Sequence, residues 1–183
     1  MIGGHGGNIY QLAERLGCRP DEIIDVSSNI NLMGPPPGLM SFLQENITAV
    51  CALPEVDSRG TETRMAGVLG VDPDSILAGA GTTPFIYAMF PALRSEQILI
   101  VGPTYADYAD ACHLHGLPFS YLTATPGRDF QTDLKQLDRM AKKADTVVIC
   151  NPNNPTGTMI QRDALYDICR QNRATRFVID ESY

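Results

Sequence analysis

The chain has no tryptophan, only three histidines and, although it carries five cysteines, no CxxC pair. Cys18, Cys51, Cys112, Cys150 and Cys169 are odd in number and widely spaced, so they read as reduced thiols rather than a disulfide framework, and a cytoplasmic setting is expected. Basic residues are scarce. Fourteen Lys plus Arg against 21 Asp plus Glu leave a net charge of -7, which excludes an electrostatic footprint for nucleic acid or an anionic membrane. No apolar run approaches the roughly 20 residues a membrane helix needs. The opening MIGGHGGN has neither the basic nor the apolar region of a signal peptide. Internal repeats and low-complexity tracts are absent. What is left is a 183-residue chain, 44% apolar, long enough for one sizeable core and suited to small-molecule partners.

The character of the chain changes near residue 75, which divides it into regions 1–74 and 75–183. In the first, Ile9, Leu12, Ala13 and Leu16 share one helical face, with Asn8 as N-cap, Gln11 at the capping-box position and Gly17 as stop. Ile23 to Val26 suggests a brief strand, Gly34-Pro35-Pro36-Pro37-Gly38 an irregular connector, and Leu39, Phe42, Leu43 and Ile47 a second helix. This region reads as an N-terminal helical arm. From Ile76 onward, apolar runs at Ile76 to Ala78, Ile98 to Val101, Phe119 to Leu122, Thr146 to Cys150 and Phe177 to Ile179 alternate with helical stretches. The helices are expected near Pro84 to Leu93, Tyr105 to His115, Asp133 to Lys143 and Asp163 to Asn172. Such alternation predicts an α/β fold, a mostly parallel sheet with helices on both faces. Open sheets of this kind bind ligands outside the carboxyl ends of their strands, so the residues that follow each run matter most.

Four strand exits carry candidate chemistry. Gly79-Ala80-Gly81-Thr82-Thr83-Pro84 lets backbone approach an anion, with Thr83 as N-cap and Pro84 as first helical residue; a plain tight turn is the alternative. It lacks the final glycine and downstream acid of a dinucleotide fingerprint. Pro103-Thr104-Tyr105 places an aromatic where it stacks on a planar ring or simply packs at a helix start. Asn151-Pro152-Asn153-Asn154-Pro155-Thr156-Gly157 holds amides between prolines in a rigid loop, from which the Asn154 side chain can donate to a phenolate-type oxygen. Asp180-Glu181-Ser182-Tyr183 puts a carboxylate where it keeps a pyridine nitrogen protonated, or where it merely caps a turn. Cys112-His113-Leu114-His115 has no second half elsewhere in the chain, so no metal site is expected; its histidines suit the last turn of a helix before Gly116.

In this order, the four segments resemble the fold-type I pyridoxal-phosphate enzymes, the aminotransferase class I/II family, over essentially the whole chain. The resemblance implies an incomplete aminotransferase-like large domain behind the arm, pyridoxal 5'-phosphate as cofactor, and a homodimer when full length. It makes Gly81, Thr82 and Thr83 the cofactor-phosphate loop, Tyr105 the ring-stacking residue, Asn154 and Tyr183 the contacts to the ring oxygen, and Asp180 the partner of the ring nitrogen. Asp180, Tyr183 and Tyr105 are thus the catalytic candidates. Within that family, His5-Gly6-Gly7-Asn8 and Asp25-Val26-Ser27-Ser28-Asn29-Ile30-Asn31 resemble the threonine-phosphate decarboxylases of cobalamin biosynthesis, which are similar to histidinol-phosphate aminotransferases. His5 and Asn29 are then expected to bind the phosphate of a phosphorylated amino-acid substrate; the alternative for His5 is an unconstrained glycine-rich terminus.

The chain departs from the pattern at Leu53-Pro54-Glu55, where the family often has a tyrosine before the proline, and at Leu32, where it usually has proline. Its only lysines, Lys135, Lys142 and Lys143, all precede the Asn154 loop, and none matches the lysine that holds the cofactor covalently beyond Asp180 in the family. The expected function is therefore that of the N-terminal part of an enzyme decarboxylating L-threonine O-3-phosphate to aminopropanol phosphate. The alternatives are an aminotransferase or a non-catalytic fragment.

Overall fold

The computed structural model describes residues 8–27, 31 and 33–183. Two compact units result, residues 1–55 and 56–183.

In the first unit, α1 (Ile9–Leu16) forms as its pattern predicts. The Asn8 side chain accepts from the Gln11 amide at 3.2 Å, and its Nδ2 donates to Gln11 Oε1 at 3.0 Å, which satisfies a helix-start amide that would otherwise lack a partner. Gly17 closes the helix at φ 68°, a left-handed conformation that glycine adopts without strain. Ile23 to Val26 is not a strand. It follows a short 3-10 turn, Pro20–Glu22, and leaves Ile24 and Val26 exposed, and among the described residues no strand lies beside it to supply a ladder. The second predicted helix is α2 (Leu39–Glu45), which passes through Asn46 into a 3-10 turn, Ile47–Cys51.

The second unit opens with α3 (Arg59–Leu69), which the sequence pattern did not announce: two glycines and two threonines within it are weak helix formers. Tertiary bonds hold it instead. Arg59 pairs with Asp74 at 2.6 Å, and the buried Glu62 side chain accepts the Ala78 amide at 3.2 Å. That second bond explains why Ile76 to Ala78 forms no strand here: its backbone is tied to a helix side chain rather than to a ladder. The division at residue 56, upstream of the pattern change near 75, follows α3, which packs with the 73–75 turn.

Four parallel strands, β1 (Ile98–Gly102), β2 (Phe119–Thr123), β3 (Thr146–Cys150) and β4 (Arg176–Asp180), form one sheet in the order β2-β1-β3-β4. They alternate with α4 (Thr83–Leu93), α5 (Asp107–Leu114), α6 (Leu134–Ala141) and α7 (Arg162–Gln171). The twofold alternation of side chains divides the core in two. Ile98, Ile100, Val148 and Cys150 face one way, against Ile86, Phe90, Tyr108 and Ala111 of α4 and α5. Leu99, Val101, Val147 and Ile149 face the other way, against Leu137, Ala141 and Ile168 of α6 and α7. Central strands buried on both faces are why their sequences read as unbroken apolar runs. Among the described residues, no helix is long and apolar enough to cross a membrane.

Two local features depart from simple patterning. Pro91 lies inside α4, so the Tyr87 carbonyl loses the amide that would normally reach it from four residues on. His115 Nε2 takes that place, 2.7 Å from the Tyr87 oxygen. Asp133 caps α6, accepting from the Lys135 and Gln136 amides at 3.0 Å each.

Candidate functional site

The chain leaves β1 toward β2 on one side and returns as β3 on the other. This reversal creates a crevice between the exits of β1 and β3, the usual ligand position in open parallel sheets. Asn153 ties the two exits together: its Nδ2 donates to the Pro103 carbonyl at 2.9 Å and to Thr156 Oγ1 at 2.7 Å. Asn151, itself buried, closes the loop that carries Asn154. Its Nδ2 donates to the Ile160 carbonyl at 3.1 Å, its Oδ1 accepts the Ile160 amide at 2.7 Å, and its backbone amide donates to the Asp180 carbonyl at 2.8 Å. Prolines stiffen this loop, and the Asn151 clamp fixes where it starts and ends.

Asn154 Nδ2 donates to the Tyr183 hydroxyl at 2.9 Å, so the exits of β3 and β4 meet. Tyr105, half-buried at the β1 exit, joins them. Burial, followed by its hydrogen bond with Asp107, pushes the Tyr105 phenol up to about 12, while a hydrogen bond with Thr83 acts the other way and Tyr183 adds to the rise. Thr83, Tyr105, Tyr183 and Asn154 are thus gathered from α4 and three strand exits. The Tyr105 ring also meets Tyr108 edge-on, with centroids 6.0 Å apart.

Asp180 ends β4 in register with Cys150. Its Oδ1 accepts the Ser182 amide at 3.0 Å and the Ser182 hydroxyl at 2.5 Å, and its Oδ2 accepts the Tyr108 hydroxyl at 2.6 Å. Asp180, Tyr108 and Thr82 line one cavity of about 350 Å³ between α4 and β4. At the start of α4, Gly81 takes φ 85°, a conformation that L side chains rarely adopt. Thr82, not Thr83, is the capping position. No side chain caps it, so the first-turn amides stay available to an anion. Gly79 serves packing: a Cβ there would come within 2.6 Å of the Phe85 ring.

Of the candidate residues, Gly81, Thr82, Thr83, Tyr105, Asn154, Asp180 and Tyr183 all lie at strand exits or at the start of α4. His5 and Asn29 lie outside the described residues. Sequence reasoning missed the roles of Tyr108, Asn151, Asn153 and Ser182. In the Cys112-to-His115 segment, Cys112 is buried in the core, His113 meets Phe119 edge-on and His115 serves Tyr87.

This donor set suits pyridoxal phosphate: a fixed carboxylate for a pyridinium nitrogen, paired amide and phenol donors for a ring oxygen, and uncapped amides for a phosphate. Residues 21–183 match the aminotransferase class I and II family. Threonine-phosphate decarboxylase of Salmonella typhimurium is 29% identical over 181 residues, covering 98% of this chain and 50% of that protein. The crystal structure of histidinol-phosphate aminotransferase from Clostridium acetobutylicum is 28% identical with a TM-score of 0.74, over 88% of this chain and 47% of the other. That of histidinol-phosphate aminotransferase from Sinorhizobium meliloti in complex with pyridoxal 5'-phosphate shares the fold at a TM-score of 0.81 and 17% identity, over 97% and 48%. The chain thus spans about half the length of these relatives. It belongs to the aminotransferase class I and II family, and pyridoxal phosphate is the cofactor that goes with it.

Proposed function

From that membership, we propose that this chain supplies the cofactor-binding half of an enzyme that decarboxylates L-threonine O-3-phosphate to aminopropanol phosphate. The observation that carries the cofactor assignment is the convergence of Asp180, the Asn154–Tyr183 pair and Tyr105 at adjacent strand exits. Bound pyridoxal phosphate supplies an electron sink for negative charge developing at the substrate's α-carbon. The chain's own part is to hold and orient it. Asp180 keeps the proton on the ring nitrogen, Asn154 and Tyr183 donate to the ring oxygen, Tyr105 covers the ring, and the Gly81, Thr82 and Thr83 backbone and hydroxyls take the phosphate. His5 and Asn29 contact the substrate phosphate.

The likeness of the N-terminal segments and the 29% identity to a decarboxylase favour carbon dioxide release. The 28% identity to a histidinol-phosphate aminotransferase supports a second reading, amino transfer, on the same residues. Assaying the natural protein for carbon dioxide release from threonine phosphate, beside amino transfer from histidinol phosphate to a keto acid, separates them. Release without transfer is the expected result; transfer without release overturns the decarboxylase reading and leaves the family intact.

A further inference from the structure

Tyr108 makes a polar contact that packing does not require. Its ring is buried on α5 among Ile86, Phe90, Ile100 and Cys150, where phenylalanine would fit equally well. Its hydroxyl nevertheless leaves that apolar cluster and donates to Asp180 Oδ2 at 2.6 Å. We infer that Tyr108 is a positioning residue for Asp180, holding the carboxylate in the orientation from which it meets the cofactor's ring nitrogen. This rests on the cofactor reading above.

A carboxylate offers about four acceptor positions. Ser182 occupies two on Oδ1 and Tyr108 one on Oδ2, which fixes the carboxylate plane from both sides and leaves room for one more strong donor. Such outer partners orient a functional group through their own rigidity. The Tyr108 ring is rigid because it is packed, and α5 begins immediately after the Tyr105 exit, so the stacking residue and the positioning residue share one anchor. Burial, reinforced by the bond to Asp180, pushes the Tyr108 phenol far above the ordinary tyrosine range, so it remains a donor at working pH. Ser182 alone cannot do this, since it is exposed and bonds only Oδ1.

The test titrates pyridoxal phosphate into the natural protein and its Tyr108→Phe, Asp180→Ala and doubly substituted forms, following the visible absorption band and the dissociation constant. Tyr108→Phe should weaken cofactor binding about 10- to 100-fold, the effect of losing a hydrogen bond to a charged group, and should shift the band. The unfolding midpoint without cofactor should fall only slightly, because Asp180 is half-exposed and water can take the place of the lost donor. On the Asp180→Ala background, the same substitution should change affinity less than about twofold, because the partner is gone. Unchanged affinity and band in Tyr108→Phe overturns the inference. So does an undiminished effect on the Asp180→Ala background, or a midpoint that falls in step with affinity, since either assigns a purely structural role. Wild-type protein that binds no pyridoxal phosphate overturns the cofactor reading, and this inference with it.

Discussion

Replacing Asn151 by alanine should loosen the Asn154 loop while leaving the sheet intact. The side chain makes two neutral hydrogen bonds to one residue, Ile160, at 2.7 and 3.1 Å. Each contributes about 0.5–1.5 kcal/mol, and leaving the half-buried Ile160 amide and carbonyl unpaired adds a desolvation cost, so about 2–4 kcal/mol is lost in all. That converts to a roughly 30- to 700-fold rise in the loop's opening equilibrium. Amide hydrogen exchange reads it within the loop: the Asn153 and Gly157 amides, which donate to the Thr158 and Asn153 carbonyls at 2.8 and 2.7 Å and keep their acceptors in the variant, should lose protection by that factor. The amides of Val147 and Val148 in β3, paired with β1 on one side and β4 on the other, should keep theirs. Pyridoxal-phosphate binding should weaken in parallel, because Asn154 would no longer be held opposite Tyr183. Unchanged protection at Asn153 and Gly157 would refute the clamp argument, and equal loss throughout β3 would show that Asn151 supports the whole sheet.

Asp180→Ala in the natural protein should nearly abolish turnover with an unchanged far-UV circular dichroism spectrum, and near-normal turnover would remove Asp180 from the site. His5→Ala and Asn29→Ala should each weaken binding of phosphorylated substrates by about 1–3 kcal/mol while cofactor absorbance stays the same, as measured by calorimetry. Borohydride reduction of the 183-residue chain with pyridoxal phosphate should give no stoichiometric labelling at Lys135, Lys142 or Lys143, all exposed on or just beyond α6; peptide mapping decides. Stability should decline in acid. The Arg128 hydrogen bond holds the Asp133 carboxyl below its ordinary value, and Lys142 does the same for Asp138. Burial alone would push Asp145 up, but bonds from Thr146 and the Gln97 and Glu96 amides outweigh it and leave the carboxyl low. Folded values below the unfolded value of about 3.9 mean that this stabilisation is complete above about pH 5 and is lost as pH falls through the folded values. Denaturant midpoints measured from pH 6 to pH 3 should show the decline.

The parallel sheet was legible because β1 and β3 are buried on both faces and so appear as unbroken apolar runs, and because each helix between strands has a clear face or cap. Thr146–Cys150 matches its predicted run at both ends. Ile76 to Ala78 looked the same in sequence, yet strand formation needs a neighbour, and its amide is taken by Glu62. α3 was hidden because its support comes from bonds to Asp74 and Ala78 rather than from propensity. At the candidate site, the residues placed at strand exits were readable by position alone. Tyr108, which reaches Asp180 across 72 positions, was not, since no local pattern encodes a bond between distant elements.

The strand order also decides what a ligand at this crevice can recognise. Tyr105 follows β1, Asn154 follows β3, and Asp180 and Tyr183 come from β4 and its exit, so these groups meet only where β1, β3 and β4 are paired. A ligand that gathers them recognises the paired strands and not the unfolded chain. Its binding energy then adds to the stability of the folded state alone.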